Sequence, residues 1–205
     1  ASHLSVMRTQ LVAGLVDILR YNLNRKAQNV RIFELGRVFY PDSSVEDGPW
    51  SVKGVRQPLH IAALAYGDAH DNAWGETARD VDFFDVKGDL ERLLFPLKAT
   101  FVPERHTALH PGRSARVVVN GKSVGFIGEL HPRLCQEYAL AKAPVVFEVD
   151  VADILVTPVP SPKAVTKFQP IERDFSLVVH NAVTAQQIFD AVEALKKEKA
   201  GSAIE

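Results

Sequence analysis

Arg116-Val-Val-Val-Asn-Gly-Lys-Ser-Val-Gly-Phe-Ile127 decides the fold class of this chain. Two runs rich in β-branched residues flank Asn120-Gly121, the preferred two-residue hairpin turn, because both central residues of that turn need positive φ. The stretch is therefore two antiparallel strands. It also carries two catalytic look-alikes. Gly121-Lys-Ser-Val-Gly125 matches the G-x-S-x-G nucleophile elbow, which needs a strand entering a helix so that a strained turn presents the serine. Here Gly121 sits at a hairpin tip and a strand follows. Gly121-Lys122-Ser123 also looks like the end of a phosphate-binding loop. The first glycine of that loop would fall on Arg116, and no helix follows to offer its N-terminus. Neither motif passes its context test.

Upstream, residues 9–23 read as a helix with two apolar stripes side by side, Leu11, Leu15 and Ile18, then Val12, Val16, Leu19 and Leu23. A helix lying on one sheet needs a single stripe, so the other is expected to meet a second layer of the domain or a partner chain. Val30 to Tyr40 reads as a strand interrupted near Gly36. A loop from Pro41 to Pro58 follows, carrying Asp47-Gly48-Pro49 and no periodicity. Leu59 to Tyr66 reads as a buried strand. Asp80 or Asp82 is placed to cap a helix bearing Phe83, Val86, Leu90, Leu93 and Leu94 at helical spacing. Lys87 and Glu91 can pair on its outer face, worth about 0.2–0.5 kcal/mol. Val145 to Val151 is a further strand.

From Val156 to Pro170 the composition changes, with Pro158, Pro160, Pro162 and Pro170 close together. Proline blocks helix and cannot donate to a ladder, so this is a stiff linker. Beyond it Phe175, Leu177 and Val179 alternate as a strand, and Thr184-Ala-Gln-Gln187 is a capping box for a helix through Ile188, Val192 and Leu195. One strand and one helix are too little for a stable domain, so this module is expected to be incomplete.

The 205 residues permit one or two domains, and a chain of this size buries roughly 70% of its unfolded surface. A net charge of −1 excludes a broad phosphate-binding field and confines any nucleic-acid contact to a local patch. With Cys135 alone, neither an intrachain disulfide nor a thiolate metal cluster can form. The apolar runs fall short of the ~18 residues of a membrane span, which fits a cytoplasmic protein. His106 and His110 have a metal-ligand spacing, but Pro111-Gly112 cuts the helix that would align them, and they read as loop histidines. Asp80, Asp82, Asp85 and Asp89 suggest either a Mg²⁺ site or a helix start, where free amides favour acids; the helix start explains them better. Cys135, just after His131-Pro132, reads as a small core residue rather than a nucleophile. No catalytic, cofactor-binding or metal residue is assigned.

Several stretches together resemble the beta subunit of bacterial phenylalanyl-tRNA synthetase. Ser5-Val-Met-Arg-Thr9 with Tyr21-Asn-Leu-Asn-Arg25 is similar to the opening of its synthetase-like core. Arg31-Ile-Phe-Glu-Leu-Gly-Arg-Val-Phe39 and Val81-Asp-Phe-Phe-Asp-Val-Lys-Gly-Asp-Leu90 look like its next landmarks. His110-Pro-Gly-Arg-Ser-Ala-Arg116 and Gly125-Phe-Ile-Gly-Glu-Leu-His-Pro132 complete the series in order. Lys167-Phe-Gln-Pro-Ile-Glu-Arg-Asp-Phe175 resembles the start of the ferredoxin-like anticodon-binding module. The resemblance covers nearly the whole chain but only part of the subunit, whose N-terminal domains with the editing site are absent.

The resemblance implies an α+β fold. Residues 1–155 would be a non-catalytic class II aminoacyl-tRNA synthetase-like core, an antiparallel sheet flanked by helices; 156–170 would be a linker, and 171–205 a truncated ferredoxin-like module. It implies a structural part of phenylalanine-tRNA ligase that packs against the catalytic alpha subunit, in a hetero-oligomer of two alpha and two beta chains. Contact with tRNA(Phe) would come through the complete C-terminal module. ATP and Mg²⁺ are implied for the whole enzyme and no cofactor for this fragment. Active class II enzymes hold ATP with an arginine in motif 2 and another in a glycine-rich motif 3. Where those are expected, this chain has Tyr40-Pro41-Asp42 and Gly125-Phe-Ile-Gly-Glu-Leu-His, leaving Arg37 and Arg113 as the arginines to watch. The alternatives are a stand-alone RNA-binding or interaction module and a stand-alone ATP-dependent ligase.

Overall fold

The computed structural model describes residues 6–70, 74–75, 77–155, 169 and 172–198, which belong to two compact units, Ala1–Pro160 and Ser161–Glu205. The first unit runs α1 (Val12–Leu23), β1 (Val30–Arg37), β2 (Tyr40–Pro41), β3 (Val55–Arg56), β4 (Leu59–Tyr66), α2 (Phe83–Leu94), β5 (Ala99–Pro103), β6 (Leu109–Val119), β7 (Lys122–Leu130), α3 (Pro132–Glu137) and β8 (Val145–Asp150). Six strands form one sheet in the order β1-β4-β8-β7-β6-β5, antiparallel at every pairing. The unit is thus an α+β fold, an antiparallel sheet flanked by helices.

The β6–β7 hairpin turns at Asn120 (φ 51°) and Gly121 (φ 78°), closing the pair Val119–Lys122. Positive φ at both positions is what this turn demands, and a β-branched residue there would be strained. Because side chains alternate along a strand, the sheet builds two cores. On one face Ala62, Leu64, Leu130 and Val146 pack with α1. On the other Ala65, Ile127, Val145, Phe147 and Val149 pack with Val86, Leu90 and Leu94 of α2. The start of α2 is fixed by a reciprocal cap. Asp82 accepts from the Phe84 and Asp85 amides at 2.8 and 3.0 Å, and Asp85 accepts from the Asp82 amide at 2.9 Å. Lys87 and Glu91 pair at 2.6 Å.

Four sequence expectations need correction or completion. Leu11, Leu15, Val12, Val16 and Leu19 all lie in one core, none more than 3% exposed, and only Ile18 opens to solvent. Val38, Leu140 and Leu109 at the start of β6 close over the helix, so α1 has no stripe left for a partner. The 41–58 segment is not structureless, since Tyr40 pairs with Arg56 and Pro41 with Val55. The edge strand β5 and the short helix α3 went unread. Proline at the start of α3, preceded by His131 accepting from the Arg133 amide, was a legible helix signal.

In the second unit α4 (Ala185–Glu198) begins at the expected capping box: the Thr184 amide donates to Gln187 Oε1 at 2.8 Å and the Gln187 amide to Thr184 Oγ1 at 3.3 Å. Phe175, Leu177 and Val179 do not form a strand and are 80%, 62% and 46% exposed. A strand exists only against a neighbour, and none pairs with this stretch among the described residues. The proline-rich stretch 156–170 lies outside the described residues, Gln169 excepted.

Candidate functional site

The chemistry of the first unit concentrates where α1 begins above β4 and β8. Leu11, at the helix start, has no side chain able to cap it. The cap comes from Glu148 in the middle of β8, whose Oε2 accepts from the Leu11 and Val12 amides at 2.8 and 3.3 Å. Its other oxygen sits 2.8 Å from His60 Nδ1 on β4. A carboxylate only accepts, so that ring nitrogen carries the proton and donates. Glu148 is 2% exposed and is the one buried charged or polar residue among those described. Three donors answer it, as a buried carboxylate requires. The first helical turn, with its free amides and partial positive charge, would otherwise be an anion site; the protein's own carboxylate occupies it.

Aromatic and imidazole rings surround this clamp. The Tyr40 hydroxyl donates to the Thr9 carbonyl at 2.9 Å; burial, and then the negative charge of Glu148, push its pKa up. The His106 ring stacks on Phe126 with centroids 4.1 Å apart, and its Nε2 lies 3.4 Å from the Gln10 amide nitrogen. Burial pushes its pKa down against the opposing pull of Glu148 and Glu104. Gly125 on β7 makes the close approach to β8 possible, since a Cβ there would collide with the carbonyl oxygen of Glu148.

The residues weighed from sequence are dispersed. Ser123 lies within β7 with no helix following the turn. His106 is a loop residue as expected and accepts from the Ala108 amide, whereas His110 falls at the irregular start of β6, not in a loop, and accepts from the Gly112 amide. Asp82 and Asp85 share the α2 cap and face Arg79, while Asp80 pairs with Lys142 and Asp89 with Arg31. Two short bonds from Arg79 hold the Asp85 carboxyl down at about 2. Cys135 packs against the α1 core, and burial pushes its thiol up, away from nucleophilic use. Of the two arginines, Arg113 donates from one terminal nitrogen to both oxygens of Glu129, at 3.1 and 2.8 Å. Arg37 donates to the Gln57 carbonyl at 2.7 Å. Sequence reasoning missed Glu148. The available signal was a lone acid inside Val145-Val-Phe-Glu-Val149, an otherwise apolar run that reads as buried on both faces.

Fold and clamp together define a sheet-and-helix domain whose buried charge is spent on holding its own elements together. Residues 1–151 match the family model described as the phenylalanyl tRNA synthetase beta chain CLM domain. The chain belongs to the phenylalanyl-tRNA synthetase beta-chain family. Similar curated relatives, each named phenylalanine–tRNA ligase beta subunit, come from three bacteria. The Burkholderia lata protein is 54% identical over 98% of this chain and 25% of its own length. That of Ralstonia nicotianae is 53% identical over 94% and 24%. That of Bordetella parapertussis is 48% identical over 95% and 24%. The chain thus spans about a quarter of the length of the curated relatives it matches. A looser likeness, with a TM-score of 0.48 and 13% identity over 72% of this chain and 47% of the other, is to the structure of Desulfitobacterium hafniense PylSc, a pyrrolysyl tRNA synthetase.

Proposed function

We propose that this chain is a non-catalytic structural part of phenylalanine-tRNA ligase. It packs against the catalytic alpha subunit of a cytoplasmic assembly of two alpha and two beta chains. Family membership over residues 1–151 carries the reading. In it, 1–155 is a class II synthetase-like core, 156–170 a linker, and 171–205 part of a ferredoxin-like module that contributes to tRNA binding. The chain has no catalytic residues in this reading. Its helix-start anion position is filled by Glu148, and Arg113 is committed to Glu129. The acids around α2 do not fit a Mg²⁺ set, because Asp80, Asp85 and Asp89 each hold a different cation of the protein. ATP and Mg²⁺ are therefore assigned to the partner subunit.

Two measurements test this. The chain should co-purify with a co-expressed catalytic alpha subunit. By itself it should show no phenylalanine-dependent ATP–pyrophosphate exchange. Exchange above background that is abolished by Arg37→Ala or Arg113→Ala would show a live site and overturn the reading.

A further inference from the structure

The two faces of the sheet are covered unequally. α2 lies over β8 and β7 and reaches Ala65 of β4, leaving Ile61 and Ala63 of β4 only half-buried and the same face of β1 open among the described residues. Phe33 and Leu35, successive residues of the edge strand β1 on that face, are 74% and 56% exposed. Beside them a groove of about 350 Å³ runs between β1 and α2, with Ile61, Ala63 and Phe147 on its floor and Leu93 on its far wall. Leu93 lies four residues after Asp89, so the two form an exposed flank of α2 beside the Val86, Leu90 and Leu94 stripe that enters the core.

We infer that this groove docks one amphipathic α-helix of a partner chain, laid beside α2. The spacing of the layer sets the occupant. Packed helices stand about 8–10 Å apart, and two strand intervals of about 4.8 Å span the same distance. A helix one interval from α2, which is centred over β8 and β7, therefore sits over the line between β1 and β4. Phe33, Leu35, Ile61 and Ala63 are there. That flank of α2 offers the ridge such a neighbour packs against. Arg31 at one end is already answered by Asp89 at 3.0 Å. Arg37 at the other end is exposed and donates to a neutral carbonyl, so an acidic residue at that end of the incoming helix complements it. A helix with an apolar stripe and an acid at one end fits; a flat polar surface or a nucleic acid does not.

The inference rests on the proposed subunit role, which supplies the catalytic alpha subunit as the partner and the probe. The full chain is titrated with purified alpha subunit by calorimetry, as wild type and as Phe33→Ser/Leu35→Ser. Hydrogen exchange of residues 31–37 is followed free and bound. Both side chains are exposed, so the variant should keep the wild-type thermal transition. The expected result is binding weakened by roughly tenfold or more, with 31–37 protected in the wild-type complex. Wild-type binding that the double variant leaves unchanged, without protection of 31–37, overturns the groove while the subunit reading stands. No binding by the wild type overturns both. If the variant loses its fold, the exchange arm alone decides, protection supporting the groove and its absence sinking it.

Discussion

Replacing Glu148 by leucine should destabilise the first unit by about 2–4 kcal/mol, although the new side chain is apolar and close in size. The substitution orphans three buried donors at once, the Leu11 and Val12 amides and the His60 ring N–H. A buried donor without an acceptor costs about 1–3 kcal/mol, and the 3.3 Å bond from Val12 counts least. Against this stand about 1–2 kcal/mol from apolar burial and from relieving the desolvation of a buried carboxylate. Glu148→Gln keeps a carbonyl oxygen for the two amides, and His60 can switch tautomer to accept from the new NH₂, so its cost should be nearer ~1 kcal/mol. Urea unfolding followed by far-UV circular dichroism reads both values from the midpoints if the slope is unchanged. Leucine within ~0.5 kcal/mol of wild type, or no worse than glutamine, would refute the claim that the carboxylate holds α1 in place.

Val16→Glu places a carboxylate at a site 2% exposed and without a partner, and should cost at least about 3 kcal/mol and abolish the cooperative thermal transition. A folded Val16→Glu protein would mean that this side of α1 is an outer surface. The Asp85 carboxyl titrates at about 2 when folded, against 3.8 without its partners. A depressed carboxylate contributes stability above the unfolded value and loses it as pH falls through the folded one, here from about pH 4 to 2. Asp85→Asn should therefore flatten that part of the stability profile and, after discounting for solvent screening, lower neutral-pH stability by on the order of 1 kcal/mol. An unchanged acid limb in the variant would remove Asp85 from the account.

The legible part of the fold was the part written in local chemistry. Asn120-Gly121 fixed a hairpin because two positive-φ positions admit few residues. Asp82 and Thr184 marked helix starts because free amides need acceptors within three residues. Local sequence says nothing about what a segment will be packed against, and the misreadings share that cause. For α1 an internal layer and a partner were both open, and the internal one holds, because Leu109 and Leu140, which close over it, stand about a hundred residues away in the sequence. Phe175 to Val179 alternates like a strand, but alternation is a capacity for pairing and pairing needs a second strand. β5 escaped because five residues at a sheet edge carry too little pattern, and become a strand through the ladder with β6.

The clamp itself follows the same logic, and it bears on the proposed non-catalytic role. From sequence, the expected inactivity rests on missing arginines alone. In the fold it rests on occupancy as well. A helix N-terminus over a sheet is a place where a phosphate or carboxylate of a ligand is stabilised, and here Glu148 reaches it from β8, 136 and 137 positions along the chain. Any ligand anion would have to displace a carboxylate that already has three partners, and would leave that charge buried without them, a penalty of several kcal/mol before binding begins. Arg113 pairs with Glu129 through one nitrogen at an exposed position, so freeing it costs far less than displacing Glu148. Under the proposed non-catalytic role, restoring a single arginine should therefore leave ATP–pyrophosphate exchange at background.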